Sequence, residues 1–246
     1  MLRRERSFWL GELSVHFRNL LLRALVAGGA NGLLPHMREA HLQKGETVVD
    51  QDATPQTIYF PGTAVLSAVK VMADGREVEV ATHGYEGASG LLPLLSSSIP
   101  TLRTFTQIPG SAFAIDASVL AAMAHRDELM MQTLLRALAI ASDQAEQSVA
   151  CLALHDVPAR AARWILQTQD RVSADEFPLT QENLAIMIGA QRTTVNAAAM
   201  LLKTEGLIAY SRGAIKVVYR EGLRRRACEC YHSVEERWRG DPLALD

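Results

Sequence analysis

The sequence predicts an α+β fold in which a β-rich N-terminal part, a long helix and a C-terminal group of short helices and strands follow one another. Three observations lead to this prediction. Short apolar–polar alternations separated by Gly and Pro fill residues 42–116, a pattern typical of many short strands. Residues 117–155 contain neither Gly nor Pro, which favours a long helix. Beyond residue 178, two helical patterns meet at Gly189 and precede two strand-like runs.

Composition sets the bounds of the interpretation. The chain has 246 residues, 48% of them hydrophobic and 21% charged, which is the composition of a globular protein with room for two domains. The apolar stretch from Leu20 to Ala30 is interrupted by Arg23 and is shorter than the roughly 20 residues that span a membrane. It predicts an amphipathic helix that ends at Gly28 and Gly29. Because no targeting segment is recognised, we expect a cytoplasmic protein.

The β-rich part predicts a small sandwich or jelly-roll barrel. Alternating side chains mark four strands, at Thr47–Val49, Thr57–Phe60, Ala64–Val71 and Val78–Ala81. Between the last two, Asp74-Gly75 is a turn pair that closes a hairpin, since glycine adopts the positive φ that tight turns need.

The long helix carries a heptad pattern. Residues spaced by three and four along it form a narrow apolar seam: Met131, Leu134, Leu138, Ala141, Ala145, Ser148 and Leu152. Such a seam predicts the pairing of two helices, and therefore a homodimer. The alternative is a helix that packs against its own β-domain. Pro158 is expected to stop the helix, and His155–Pro158 to form a hinge.

The C-terminal part predicts a helix-turn-helix followed by a two-stranded wing. Thr180 is placed to cap the first helix, and Gly189 to form the turn before a second helix from Gln191 to about Thr204. Four apolar side chains of the second helix are expected to face inward: Val195, Met200, Leu201 and Leu202. Two strand-like runs, Ile208–Tyr210 and Ile215–Tyr219, flank the tip Ser211-Arg212-Gly213-Ala214.

Polar side chains at the start of the second helix and on the wing predict DNA binding. Short or forked polar groups suit base edges and phosphates, and the candidates are Thr180, Gln191, Arg192, Thr193, Thr194, Asn196, Lys203, Ser211, Arg212 and Lys216. Residues 151–226 carry 11 Lys and Arg against 7 Asp and Glu, whereas residues 1–150 carry 12 against 15. Positive charge is thus concentrated where a phosphate-facing module requires it. The alternative is a winged helix that contacts protein.

The same stretch resembles the DNA-binding end of the Crp–Fnr transcription regulators. The resemblance rests on Leu179-Thr180-Gln181-Glu182-Asn183-Leu184-Ala185, Gly189-Ala190-Gln191-Arg192-Thr193-Thr194-Val195, Leu202 and Glu205-Gly206-Leu207-Ile208. The order of β-domain, long helix and winged helix matches the family over nearly the whole chain. It implies a cyclic-nucleotide-binding-like jelly roll at 1–116 that senses a signal, a dimerisation helix and hinge at 117–156, and a DNA-binding domain with a helical tail at 157–246.

The resemblance also implies partners and residue roles. The protein is expected to bind an inverted-repeat operator as a homodimer, and to contact RNA polymerase if it activates transcription. Arg192 stands where the family has its base-reading arginine, and Gln191 and Thr194 would hold phosphates. Thr193 and Ala197 replace a glutamate and a second arginine that are frequent in the family, so the usual half-site is not implied. Asn196 is a candidate reader of adenine.

The effector is less defined by the sequence. When the sequence is compared with the family's cyclic-AMP site, the candidate effector-binding residues are Glu86, Ser89, Arg103 and Thr104. Because Glu86 lies earlier than the family's ribose-binding carboxylate, cyclic AMP is disfavoured. No cysteine precedes Cys151, which argues against an iron–sulfur cluster. Haem stays open, with histidines available at His36, His41 and His83, as do an unidentified small effector and no effector at all.

The remaining motifs predict neither a metal site nor an enzyme. Cys228 and Cys230 form a C-x-C pair with no second half nearby, and Cys151 is distant in sequence, so reduced thiols are expected in place of zinc. The chain shows no phosphate-binding loop, no zinc-protease motif and no nucleophile elbow.

Overall fold

The structure, a computed structural model, describes residues 18–211 and 213–231. Its N-terminal elements are helix α1 (Leu20–Ala27), a 3-10 helix (Asn31–His36), strands β1 (Arg38–Leu42), β2 (Thr47–Val49), β3 (Thr57–Pro61), β4 (Val65–Val71) and β5 (Glu77–His83), helix α2 (Leu91–Ser96), and strands β6 (Arg103–Ile108) and β7 (Gly110–Asp116). These strands form two sheets, with the orders β1-β7-β3 and β2-β6-β4-β5. In the first sheet, β7 pairs antiparallel with both neighbours.

The predicted hairpin between β4 and β5 is present. The backbone N–H of Met72 donates to the carbonyl of Arg76 at 2.8 Å, and Gly75 has a φ of 83°. The carboxylate of Asp74 accepts from the backbone N–H of Arg76 at 3.1 Å. The turn pair therefore closes the hairpin as its sequence predicts.

Two helices, and not one, follow the β-domain: α3 (Ala117–Ala124) and α4 (Glu128–Leu154). The prediction of one continuous helix from 117 to 155 is wrong at residues 125–127, where Asp127 accepts from the backbone N–H of Met130 at 3.0 Å. A side chain that satisfies a free N–H in this way favours a new helix start over continuation. Leu120 and Leu134, from the two helices, are fully buried with Leu22, Ile58 and Ile115 in the core of the N-terminal part.

The C-terminal elements are α5 (Val157–Val172), β8 (Glu176–Pro178), α6 (Gln181–Ile188), α7 (Arg192–Thr204), β9 (Ile208–Ser211), β10 (Ala214–Val217) and α8 (Arg220–Arg226). Pro158 was expected to end the long helix, but it lies in the first turn of α5. There Asp156 is the N-cap and accepts from the backbone N–H of Ala159 at 2.8 Å. Proline is tolerated at that position because a helix start leaves its N–H groups unpaired. The wing has a third strand, in the order β8-β10-β9.

The described residues form two compact units. The first comprises 18–68 and 82–142, and the second comprises the β4–β5 hairpin tip at 69–81 together with 143–231. In the second unit, the indole N–H of Trp164 on α5 donates to the Glu79 carboxylate of the hairpin at 3.0 Å. The predicted fold class is confirmed: antiparallel β-sheets, a long helix and a C-terminal helix-turn-helix. Among the described helices, none combines the length and the apolar character that crossing a membrane requires.

Candidate nucleic-acid interface

The helix-turn-helix consists of α6, a turn at Gly189 and α7. The Thr180 hydroxyl accepts from the backbone N–H of Asn183 at 3.1 Å, which is the predicted cap of α6. Gly189 ends α6 with a φ of 58°. A Cβ at Gly189 would lie 2.9 Å from Cδ2 of Leu152 and 3.4 Å from Cγ2 of Val78. The turn is therefore packed closely against other parts of the second unit, which fixes where α7 begins.

One side of α7 is buried and the other is exposed. Val195, Ala198, Ala199 and Leu202 are buried, at the spacing of three and four residues that one side of a helix requires. The prediction that Met200 and Leu201 face inward is wrong, because these side chains are 59% and 37% exposed. At about 100° per residue, Met200 lies about 100° around the helix from Ala199, the nearest buried position, whereas Leu201 lies about 60° from Ala198, at the edge of the buried side.

The start of α7 presents the predicted DNA-contacting groups to solvent. Gln191, Arg192, Thr193 and Thr194 are all exposed. No side chain caps the helix at Gln191 within the described part of the chain, so the first backbone N–H groups of α7 are available to an anion. Asn196 is half-buried, and its Oδ1 has no hydrogen-bond partner among the described residues.

The wing is held against the start of α6. The Tyr210 hydroxyl donates to the carbonyl of Leu179 at 2.7 Å, and burial raises the pKa of Tyr210, which keeps the donor protonated. The backbone N–H of Leu179 donates to the carbonyl of Gly213 at 2.8 Å. Ser211 and Lys216 on the wing and Lys203 on α7 are exposed. Arg212 lies outside the described residues.

The basic side chains between residues 151 and 226 differ in their exposure to solvent. Arg160, Arg163 and Arg171 of α5 are buried, and Arg220 donates to the Asp170 carboxylate at 2.7 Å and to the Tyr231 hydroxyl at 2.8 Å. These four guanidinium groups therefore serve the packing of the second unit. Among the described candidate DNA contacts, Arg192, Lys203 and Lys216 are the basic residues, and all three are exposed.

The four candidate effector residues lie in the first unit, where the side chains of Glu86, Ser89 and Arg103 have partners. The Glu86 carboxylate accepts from the backbone N–H of Gly84 at 3.1 Å, and the Ser89 hydroxyl accepts from the backbone N–H of Tyr59 at 3.0 Å. The Arg103 guanidinium lies 4.8 Å from the centre of the Phe105 ring, and Thr104 is buried. The Glu86 and Ser89 side chains are thus already bonded to backbone N–H groups of the first unit.

The predicted dimerisation seam on α4 is wrong in part. Leu134 is 0% exposed and packs in the core of the first unit, and Met131 and Leu138 contact the same core. The alternative, that the helix packs on its own β-domain, therefore applies to this end of α4. Leu152 lies beside the Gly189 turn. By contrast, Leu135 and Val149, which the predicted seam omits, are 51% and 68% exposed. Ala141 and Ala145 are half-buried.

The structure brings together four residues that the sequence leaves apart. Cys151, His155, Cys228 and Cys230 place one sulfur or ring nitrogen each within 4.8 Å of one another. Cys228 and Cys230 therefore do have a second pair of donors nearby, contrary to the expectation from their spacing, because Cys151 and His155 supply it from the end of α4.

Residues 159–226 match the family profile described as a Crp-like helix-turn-helix domain. One relative, the CRP-like cAMP-activated global transcriptional regulator of Mycobacterium tuberculosis, is 28% identical over 203 residues, or 79% of this chain and 90% of the relative. The structure of FixK2 from Bradyrhizobium japonicum has a TM-score of 0.66 and 22% identity, and the match covers 78% of this chain and 98% of that one. The structure of a CRP-family transcriptional regulator from Thermus thermophilus has a TM-score of 0.64 and 18% identity. That match covers 76% of this chain and 96% of the other.

These matches agree with the geometry of α6, α7 and the wing. The class of protein that they define has a β-sheet domain followed by a Crp-like helix-turn-helix domain. Residues 159–226 of this chain are a Crp-like helix-turn-helix domain, and the chain is similar to a CRP-like transcriptional regulator over 79% of its length, which confirms the resemblance stated from its sequence. The relatives are transcription regulators and not enzymes.

Proposed function

We propose that this chain is a sequence-specific transcription regulator that binds an inverted-repeat operator as a homodimer, under the control of its N-terminal domain. The observation that carries the proposal is the exposed polar start of α7 on a helix-turn-helix whose turn and cap are fixed by packing. A recognition helix enters the major groove with its N-terminal residues against base edges. Gln191, Arg192, Thr193, Thr194 and Asn196 would occupy that position.

Within this proposal, each candidate DNA contact has a role that its placement supports. The Arg192 guanidinium is exposed and can pair with O6 and N7 of guanine. The exposed Gln191 and Thr194, with the free N–H groups of α7, suit a phosphate. Lys203, Ser211 and Lys216 would contact the sugar–phosphate backbone, as would Arg212. Thr180 supports the interface through its cap of α6, because its hydroxyl is engaged there.

The homodimer would form along α4, in a corrected register. Leu135, Leu138, Ser142, Ala145 and Val149 step by three and four residues, which places them on one side of the helix. Each of them is exposed or half-exposed in the single chain. Covering Leu135 and Val149 with a second copy would remove two large apolar side chains from water, which stabilises association. The small residues Ser142 and Ala145 would allow the two helices to approach closely.

We assign sensing to residues 1–116, dimerisation and the hinge to 117–156, and DNA binding to 157–246. The effector would be a small molecule bound by the β-domain. The Glu86 carboxylate already accepts from the backbone N–H of Gly84, and the Ser89 hydroxyl from that of Tyr59. These bonds do not favour cyclic AMP at those side chains, although the M. tuberculosis relative is described as cAMP-activated.

The proposal is tested by selecting bound sequences from a random duplex library at two salt concentrations. We expect enrichment of an inverted repeat whose half-sites lie about one helical turn, or roughly 34 Å, apart. Repeating the selection with the small-molecule fraction of a cell extract tests sensory control, which predicts a change in enrichment. A second candidate function, a winged helix that binds protein, predicts no enrichment under either condition and would replace the proposal.

Arg192→Ala tests whether Arg192 recognises a base of the operator. We expect the variant to lose about 1–3 kcal/mol of binding to the selected operator and to lose discrimination at one base pair per half-site. Arg126→Ala is a matched control, because it removes an exposed guanidinium of the first unit that is not among the proposed DNA contacts. Affinities are measured by fluorescence anisotropy on specific and random duplexes. An unchanged ratio of the two affinities in Arg192→Ala would remove Arg192 from the reading set.

A further inference from the structure

All three cysteines of the chain lie in one cluster with a histidine. Cys151 is buried in the last turn of α4, and His155 follows that helix, with its backbone N–H bonded to the carbonyl of Cys151 at 3.1 Å. Cys228 and Cys230 are buried just beyond α8. Cys151 and Cys228 are 77 positions apart in the sequence. They come together only through the folding of the second unit.

We propose that Cys151, His155, Cys228 and Cys230 bind one Zn²⁺ ion. Three thiolates and one imidazole form a Cys₃His set, a donor combination of structural zinc sites. Soft sulfur ligands in a four-coordinate arrangement select zinc over hard cations such as Mg²⁺ and Ca²⁺. None of the four residues is among the proposed DNA contacts, and the inference does not depend on the proposed DNA binding.

The separations between donor atoms fit a tetrahedral ion. Sγ of Cys151 and Sγ of Cys228 are 3.6 Å apart, and Sγ of Cys230 and Nδ1 of His155 are 3.4 Å apart. Zinc bonds of about 2.3 Å to sulfur and about 2.0 Å to nitrogen place two sulfurs about 3.8 Å apart, and a sulfur and a nitrogen about 3.6 Å apart. Both measured separations lie near these tetrahedral edges. A disulfide requires about 2.05 Å between its sulfurs.

The groups around the four donors are those that a metal site uses. Nε2 of His155 lies 3.1 Å from the Glu229 carboxylate, while Nδ1 faces the cluster. A ligating histidine usually donates its second ring N–H to a carboxylate in this way. The Gln147 amide donates to Sγ of Cys230 at 3.0 Å. The Arg163 guanidinium is also buried in the second unit and would offset the negative charge that three thiolates around Zn²⁺ leave.

With four protein ligands the site is closed, and its role is structural. The ion links the end of α4 to the segment after α8, two parts of the second unit that are distant in sequence. Binding would therefore stabilise the folded second unit, because a site assembled from distant segments does not exist in the unfolded chain.

The first test is the metal content of the full chain, purified without chelator and measured by inductively coupled plasma mass spectrometry. We expect about one zinc per chain, released when a mercurial reagent titrates the three thiols. Cys228→Ser should lose most of the zinc, whereas His125→Ala, a histidine outside the cluster, should retain it. Less than about one-tenth equivalent of zinc in the wild-type chain, with all three thiols titratable, would overturn the proposal. A Cys151–Cys228 disulfide, detected by mass spectrometry in protein expressed in a reducing cytoplasm, would also overturn it.

The second test does not depend on how a cysteine variant folds. Co²⁺ added to the chelator-treated wild-type chain should give thiolate-to-cobalt charge-transfer bands and the intense visible bands of tetrahedral cobalt, both removed by added Zn²⁺. Glu229→Gln should keep these bands and raise the Kd for Zn²⁺ by about 10-fold or more, since it weakens the carboxylate that orients His155. Octahedral cobalt spectra, or no cobalt binding by a folded chain, would exclude the Cys₃His site.

Discussion

Gly189 is the residue on which the geometry of the helix-turn-helix most directly depends. Its φ is 58°, and a Cβ there would lie 2.9 Å from Leu152. Gly206 has a φ of 71° with no atom within 4 Å of its Cβ position. Gly206→Ala therefore adds backbone strain alone, which costs about 1–2 kcal/mol. Gly189→Ala adds the same strain and also displaces Leu152, so we expect it to lower the free energy of unfolding by more. Urea denaturation of both variants measures the difference, and equal losses would mean that the Leu152 contact contributes nothing.

Single residues were predictable from the sequence where their role is local. The Thr180 cap and the Gly189 turn depend on neighbours within three or four positions, and both occur as expected. Leu201 was misplaced because adjacent aliphatic residues do not indicate which of them faces the core. The cysteine cluster could not be predicted from spacing, since its two halves meet only through the packing of α4, α5 and α8. Its one available signal was that Cys151 and His155 are four positions apart, on one side of a helix.

At the scale of elements, α4 has a face that a second chain would cover. Leu135→Glu and Val149→Glu each place a charge within the corrected seam, so we expect them to convert a dimer into a monomer, because an unpaired charge is costly to bury. Leu154→Glu is a matched control. Leu154 is 78% exposed and lies about 140° around the helix from Val149. Sedimentation equilibrium measures the mass of each variant. A dimer retained in both seam variants would exclude this face.

The register of α4 could not be predicted because its sequence supports two heptad seams. Both the series that contains Leu134 and the series that contains Leu135 step by three and four residues. The choice between them depends on which side the β-domain covers, and that contact is not local. The helix α5 was missed for a related reason. Buried Arg160, Arg163 and Arg171 interrupt the apolar pattern by which a packed helix is usually identified.

At the scale of the whole molecule, the order of a β-domain, a long helix and a helix-turn-helix was predictable, because each part has its own period of apolar residues. The number of basic residues in the sequence was a weaker guide to the surface charge of the C-terminal part. Of the 11 basic residues between 151 and 226, three are buried in α5 and Arg220 is paired with Asp170. The surface that faces DNA in our proposal thus depends on few cations, and we expect a moderate salt dependence of binding.

Lys216 tests whether the wing contributes to that salt dependence. The residue is exposed on β10, where its ammonium group would displace a counterion from a DNA phosphate. Lys216→Ala should weaken binding to specific and random duplexes alike, and reduce the slope of log K against log salt by about 1. Lys44→Ala is the matched control, because Lys44 is an exposed lysine of the first unit and should leave the slope unchanged. Anisotropy titrations at four salt concentrations give both slopes. If Lys216→Ala and Lys44→Ala share the wild-type slope, the wing does not contact phosphate, and the electrostatic part of binding must come from α7 alone.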